Sequence, residues 1–412
     1  MESRRTEYQV KFDGADITKD IRPFFLSVTY VDSEDGAADD LNLKLQDRDG
    51  VWMQHWLERA VQAAAGDQLK ISCSIITKGG EGADETLESG RFELDSVRAK
   101  GPPATVTIKA TGLGFSSAIR QTKRSRAWER CTLRTIAAQI AGNGGTTCLF
   151  EASADKRYTR IEQTKESDLA FLERICKDAG LALKCTDGML VVFDREEYEG
   201  QEPCDTITPG CGYTEYDLQS RTADTRYNSC RVSYWDPASA RLIEGTAYAD
   251  DYDPENKDNR QLELSERVES VAEAKALADR RLKLHNLFSR VVSFTLPGDV
   301  KYMAGRTVEV ENWGGWNGKY MISEARHTVD SDGGYETRIT ARKVPDTRAA
   351  KDQLTATAGG RTYTVKRGDN LSKIAKAYYG NSVLWRRIYD ANRGVIGNDP
   401  NFILPGWVLT IP

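Results

Sequence analysis

Little in this chain of 412 residues invites catalytic chemistry. It has only three histidines, His55, His285 and His327, and they are far apart in sequence. Its eight cysteines, at 73, 131, 148, 176, 185, 204, 211 and 230, form no CxxC pair, so no zinc spacing exists. P-loop, GxSxG and HExxH signatures are all missing. Gly112-Leu-Gly114 is too short to hold a dinucleotide, and Gly142-Asn-Gly-Gly145 follows a helical pattern, which makes it a helix end. No catalytic residue, metal or cofactor is expected. Carboxylates are abundant, and counting alone does not exclude a glycosidase pair among them. No apolar run reaches the ~18–20 residues that span a bilayer, so no membrane partner is expected. The first residues are charged with no apolar stretch behind them, so a secretory leader is not expected and assembly in a cytoplasm is. Reduced thiols suit that compartment. Cys204 and Cys211, which bracket a Thr-Pro-Gly turn, would pair only on oxidation.

What the chain does have is strand pattern. Leu41, Leu43 and Leu45 alternate with polar residues and stop at Asp47-Arg48-Asp49-Gly50. Runs at 8–12, 24–31, 69–76, 91–97 and 104–110 complete a first β-rich region, 1–118. The region 119–204 reads as a small α+β domain. A helix is expected at 132–141. A second has Ser167 as its N-cap, Leu169, Leu172, Ile175, Cys176 and Ala179 as its apolar stripe, and Gly180 as its stop. Strands at 181–185 and 189–193 follow. The region 205–345 returns to strands, broken by one helix near 268–286. Trp313 and Trp316 lie in a Gly-rich turn, where packing is a commoner role than stacking on sugar. Residues 346–360 are a linker by composition.

Charge is divided unevenly. Residues 361–412 hold eight Lys/Arg against three Asp, a net +5, which leaves −10 on the rest of a chain whose total is −5. The acidic body disfavours nucleic acid, and the basic end is suited to an anionic partner or simply to solvent.

That terminal stretch reads β-α-α-β. The pieces Tyr363-Thr-Val365, Gly368-Asp-Asn-Leu371, Ile374-Ala375, Trp385, Ile388, Asn392 and Ile403-Leu-Pro405-Gly406-Trp-Val408-Leu409 resemble the LysM family over its full length. The resemblance implies a groove for N-acetylglucosamine-containing glycans, walled by Gly368, Asp369, Asn370 and Leu371 on one side and Asn401, Phe402, Ile403, Leu404 and Pro405 on the other. The same fold also docks proteins in phage baseplates, so peptidoglycan and a baseplate neighbour are both open as its ligand.

The body, 1–345, resembles the phage late control protein D family, the contractile-tail hub related to the hub part of type VI secretion spikes. The residues that carry this are Asp16-Ile-Thr-Lys-Asp-Ile21, Ala38 to Trp52, Gln163 to Leu181, Ala304 to Val310 with Gly318 to Ile322 and His327, and Gly334-Tyr-Glu-Thr337. The resemblance implies a fold that is mainly β with α+β insertions: two related β-barrel hub domains, here followed by the LysM module. It implies a homotrimer adapting a hexameric tail tube to a trimeric spike, with tape-measure and baseplate wedge proteins as further partners. The location would be the tail baseplate of a virion or particle, after assembly in the bacterial cytoplasm. A second class, a peptidoglycan-active enzyme targeted by its LysM module, also fits the terminal residues.

Overall fold

The computed structural model describes residues 5–34, 39–64, 69–78, 84–112, 119–120, 122–153, 155–186, 188–221, 226–237, 240–249, 252, 259–332, 334–345, 361–366, 369–379, 382–396, 400, 403–404 and 406–411; side chains at 60–64, 361–362, 379, 383, 391, 394 and 410–411 are not part of that description. The chain forms two compact units, Met1–Val344 and Pro345–Pro412. The segment expected to be a linker, 346–360, lies outside the described residues.

The first unit is mostly strand. It opens with β1 (Arg5–Phe12), β2 (Ala15–Asp16), the single turn α1 (Thr18–Ile21), β3 (Phe25–Ser33), β4 (Asp40–Gln46), α2 (Val51–Ala64), β5 (Lys70–Lys78), β6 (Glu85–Lys100) and β7 (Thr105–Thr111). An insert follows, with β8 (Lys123–Thr132), α3 (Leu133–Asn143), β9 (Thr147–Glu151), β10 (Arg157–Ser167), α4 (Asp168–Ala179), β11 (Ala182–Thr186), β12 (Met189–Phe193) and α5 (Arg195–Glu199). Then come β13 (Thr206–Ile207) and β14 (Glu215–Ser220). A second insert holds β15 (Ser229–Asp236), β16 (Arg241–Tyr248), β17 (Gln261–Leu264) and α6 (Val271–Asn286). The unit closes with β18 (Arg290–Pro297), β19 (Thr307–Val310), β20 (Gly318–Asp330) and β21 (Tyr335–Lys343).

Alternation places the core. Leu41, Leu43 and Leu45 of β4 are buried beside Val106, Ile108 and Ala110 of β7. In the second half Val292, Phe294 and Leu296 of β18 do the same beside Ile339 and Ala341 of β21. Each such large apolar side chain contributes about 1.5–3 kcal/mol on leaving water. The helices obey their local signals. Ser167 caps α4 by accepting from the Ala170 N–H, and Gly180 ends that helix in the left-handed region at φ +81°. At Gly245 of β16 the α6 backbone comes so close that a Cβ would lie 2.7 Å from the Ala274 carbonyl carbon. Only glycine allows that contact.

The two regions expected as separate barrels are joined. β3 of the first half pairs antiparallel with β20 of the second, from Ser27↔Asp330 to Ser33↔Glu324. One 13-stranded sheet results, and among the described residues it is open rather than closed. Its two halves nevertheless share one plan. The first half runs β1-β5-β6-β7-β4-β3 across the sheet, and the second runs β13-β19-β20-β21-β18-β14. With the two-residue β2 and the insert strands left out, both read in chain order first, fourth, fifth, sixth, third, second. The long fifth strand bulges at the same step in each: β6 between Leu94 and Ser96 against β7, and β20 between Ile322 and Glu324 against β21. The halves also differ: β1 meets β5 antiparallel while the two-residue β13 meets β19 parallel, β2 has no counterpart, and the bulges of β3–β4 and β5–β6 are not repeated in β14–β18 and β19–β20. No repeat is visible in the residues themselves; the duplication is one of topology.

A buried ionic cluster sits at the join. Arg342 of β21 is fully buried. Its Nη2 donates to Glu34 Oε1 at 2.7 Å, its Nε to Glu34 Oε2 at 3.2 Å and its Nη1 to Glu199 Oε1 at 2.6 Å. Glu34 directly follows β3, and its own N–H donates to the carbonyl of the bulge residue Ser323 at 2.9 Å. Arg195 of α5 also lies 3.5 Å from Glu34. Lys184 of β11 pairs with Asp32 of β3, whose other oxygen accepts from the Ala304 N–H at 2.8 Å. The first insert is thereby fastened across the join by charge.

Replacing Arg342 by Met should leave Glu34 and Glu199 without their main cation and destabilise this unit by about 3–5 kcal/mol. Urea unfolding followed by tryptophan fluorescence measures it, and a loss below about 1 kcal/mol would remove the pair from the account of the join.

Candidate functional site

The terminal unit contains β22 (Arg361–Thr364), α7 (Leu371–Tyr379), α8 (Trp385–Ala391), the short α9 (Arg393–Ile396) and β23 (Val408–Ile411). β22 and β23 pair antiparallel, from Arg361↔Ile411 to Thr364↔Val408. Its core is Val365, Leu371, Ile374, Ala375, Ile388, Ile396 and Leu409, with Tyr363, Tyr378, Trp385, Tyr389, Ile403 and Trp407 packed against it. Asn392 locks the end of α8 from within: its amide donates to the Ile388 carbonyl at 2.7 Å.

Val365, ahead of one expected wall, is bonded to the residues that follow the other. Its N–H donates to the Trp407 carbonyl and its carbonyl accepts from the Gly406 N–H, both at 2.8 Å. The loop before β23 is thus held beside the turn that leads into α7. Asp369 is committed to that turn. One carboxylate oxygen accepts from the Tyr363 hydroxyl at 2.7 Å and from the Lys366 N–H at 2.8 Å. The hydroxyl bond, followed by the backbone bond, holds this carboxyl below its ordinary range. Asn370 caps α7, accepting from the Lys373 N–H at 2.8 Å. Leu371 turns into the core, so its side chain supports a wall rather than lining one. Ile403 is half-buried against the same core, and Leu404 is exposed. Gly368, Asn401, Phe402 and Pro405 lie outside the described residues. Of the described residues expected at the groove, Asn370 and Leu404 are exposed, Asp369 and Ile403 are half-buried, and Leu371 is buried.

In the first unit the scattered histidines stay scattered. His55 and His285 are exposed and lie against aromatic rings, Trp52 and Trp56 for the first and Tyr227 for the second. His327 is fully buried at the join. Its Nε2 lies 2.8 Å from the Tyr302 carbonyl, which can only accept, so Nε2 carries the proton. Nδ1 then accepts from the Tyr335 hydroxyl at 2.8 Å and the Thr337 hydroxyl at 3.2 Å. This is a satisfied structural histidine. All eight cysteines are free thiols, Cys204 and Cys211 included. Trp313 packs on Tyr213, Tyr216 and Phe294, with ring centroids 5.0–5.6 Å away. No group of three or more His, Cys, Asp or Glu side chains suited to a metal occurs among the described residues. The residues that tie the first unit together, Glu34, Glu199 and Arg342, were not singled out by the sequence pattern. Arg342 follows the inward Ala341 and so reads as an outward residue of β21.

Burial holds His327 below its ordinary value of 6.5. The unfolded chain takes up a proton near pH 6.5 and the folded chain resists it, so this contribution to stability is present above pH 6.5 and is lost as pH falls through the depressed folded value. Asp39 acts in the opposite direction. Burial pushes it up to about 6, so its contribution is present below pH 3.8 and is lost as pH rises through 6. Comparing His327→Gln with the parent isolates the histidine. The variant is expected to lose less Tm between pH 7 and pH 5 than the parent does, by differential scanning calorimetry; equal losses would count against the burial argument.

Residues 115–333, just over half of the chain, match the family model of the phage tail baseplate hub (GPD). Residues 363–412 match that of the LysM domain. A probable baseplate hub protein of Escherichia phage P2 is 27% identical over 186 residues, which cover 45% of this chain and 44% of that protein. The chain thus spans under half the length of the curated relatives it matches. Among solved structures, the tail protein from Neisseria meningitidis MC58 aligns with a TM-score of 0.60 at 14% identity, over 82% of this chain and 97% of that one. The 43 kDa tail protein of prophage MuSo2 from Shewanella oneidensis aligns with a TM-score of 0.59 at 14% identity, over 83% and 98%. At such identities the likeness is one of fold.

Proposed function

Because this chain belongs to the phage tail baseplate hub family and carries a LysM domain, we propose that it is the structural hub of a contractile phage tail or a phage-like injection system. Three copies form a ring that adapts the hexameric tail tube to the trimeric spike. Each half of the large sheet serves as one barrel-like unit, so a trimer presents six similar units to the tube while remaining threefold towards the spike. The observation that carries this reading is the strand order common to both halves, bulge included. Tape-measure and baseplate wedge proteins are its other partners, the tail baseplate is its location, and the bacterial cytoplasm is where it assembles. The role is geometric and non-enzymatic.

The LysM groove, between the turn at 368–371 and the loop at 401–405, takes either peptidoglycan or a baseplate neighbour. Its basic surface and the acidic body keep the two units electrostatically distinct.

Solution mass tests the ring: by light scattering the full chain is expected as a trimer at high concentration, and a strict monomer there would defeat the reading. Incubation with purified peptidoglycan tests the rest. Co-sedimentation without release of soluble fragments is expected if glycan fills the groove. Its absence would assign the groove to a protein neighbour, and fragment release would replace the structural role with an enzymatic one.

A further inference from the structure

The shared plan of the two halves exposes an incomplete seam. β20 changes partner at its bulge. One edge pairs with β21 throughout; the other pairs with β19 as far as Met321 and with β3 from Glu324 to Asp330. β6 is the counterpart of β20. One edge pairs with β7, and the other pairs with β5 as far as Glu93. Beyond its bulge, from Ser96 to Lys100, no strand among the described residues pairs with that second edge. The counterpart of β3 is β14, which among the described residues pairs with β18 alone. One chain therefore holds one filled seam, β20 with β3, and the two separated sides of another.

We infer that β14 of one copy of this chain adds antiparallel to residues 96–100 of β6 in the next copy, repeating between chains the seam that β3 and β20 make within one. This rests on the trimeric reading above and specifies its contact. The ladders set the register. Leu94↔Ala110 in the first half corresponds to Ile322↔Ala341 in the second, and Tyr30↔Leu41 corresponds to Leu218↔Val292. The buried pair His327↔Tyr30 of the filled seam then becomes Ala99 opposite Leu218, and Thr328↔Thr29 becomes Lys100 opposite Asp217. Both outcomes are chemically sensible. Val97 and Leu218 already pack against the cores of their own halves, so the apolar pair falls on the core face. Lys100 and Asp217 are exposed and of opposite sign, which favours a directly opposed cross-strand pair. A charged edge is also the usual guard against unwanted pairing. Here the two guards are complementary, so they admit each other and repel copies of themselves. The contact is head-to-tail, which generates a ring when its rotation closes.

The test uses the full chain carrying Ala99→Cys and Leu218→Cys, mildly oxidised, with solution mass measured in parallel. Directly opposed strand residues sit within the Cα separation a disulfide needs. Reductant-sensitive covalent dimers and trimers are expected, absent from the parent chain treated identically. As a second variant, Lys100→Asp should raise the concentration for half-assembly by about tenfold by opposing two carboxylates across each seam, and adding Asp217→Lys should restore it. A trimer by mass that neither cross-links nor responds to these charges overturns this seam and leaves the trimeric reading standing. A chain that stays monomeric overturns both.

Discussion

A guanidinium removed from water must find its partners inside the protein, and Arg342 with its two carboxylate partners brings together three separate stretches of chain. Glu34 ends the first half's contribution to the join, Glu199 ends the first insert, and Arg342 itself lies on the last strand of the second half. A buried pair of this kind adds little net stability compared with an apolar replacement, because desolvation offsets most of the attraction. What it does is penalise every arrangement in which one member is missing. The two halves cannot slide along β3 and β20 without stranding a charge, and the insert cannot lift off without doing the same. Lys184 with Asp32, and Thr186 donating to Asp39 at 2.9 Å, add to the same penalty from the insert's edge strand β11.

Such a join suits a part whose task is shape. An enzyme concentrates its specificity at one cleft. Among the described residues of this first unit, the buried charges Asp32, Glu34, Arg195 and Arg342 gather where one half meets the other. The terminal unit is built differently. Backbone bonds on either side of Val365 hold its loop and turn together, and the carboxylate of Asp369 is already occupied by Tyr363 and Lys366.

Much of this was legible in the residues because it was local. Alternation in β4, the cap and stop of α4, and the hairpin of β11 and β12 each lie within 14 consecutive residues and need no partner to be recognised. The helix α2 was not legible. Asp47 reads as the end of a strand, yet its carboxylate also accepts from the Trp52 and Met53 N–H groups and starts the helix. The ribbon of β8 and β10 was hidden by charge on both faces, with Arg126 reaching Gln163 and Asp168 instead of solvent. The union of the two halves in one sheet was beyond reach for another reason. Pairing between residues 27 and 330 leaves no periodic trace in either strand, and a duplication of topology without a duplication of sequence is invisible until the strands are laid side by side. In the terminal unit, Asn370 was readable as a helix cap and Leu371, Ile374, Ala375 and Tyr378 as the apolar stripe of α7.

The filled seam has a consequence for calibre. Through it, β14, β18, β21, β20, β3, β4, β7 and β6 follow one another as a band of eight strands. Three such bands closed on each other would place 24 strands about an axis, and at roughly 4.8 Å per strand they would enclose a circumference of about 115 Å, or about 37 Å between opposite backbones, more if the strands tilt. Side chains on both walls would narrow this to about 25 Å, which admits an extended polypeptide or a helix about 10–12 Å wide and turns back a folded domain of ordinary size. A ring of that bore would act as a gauge, and whatever passes along it would have to travel threaded.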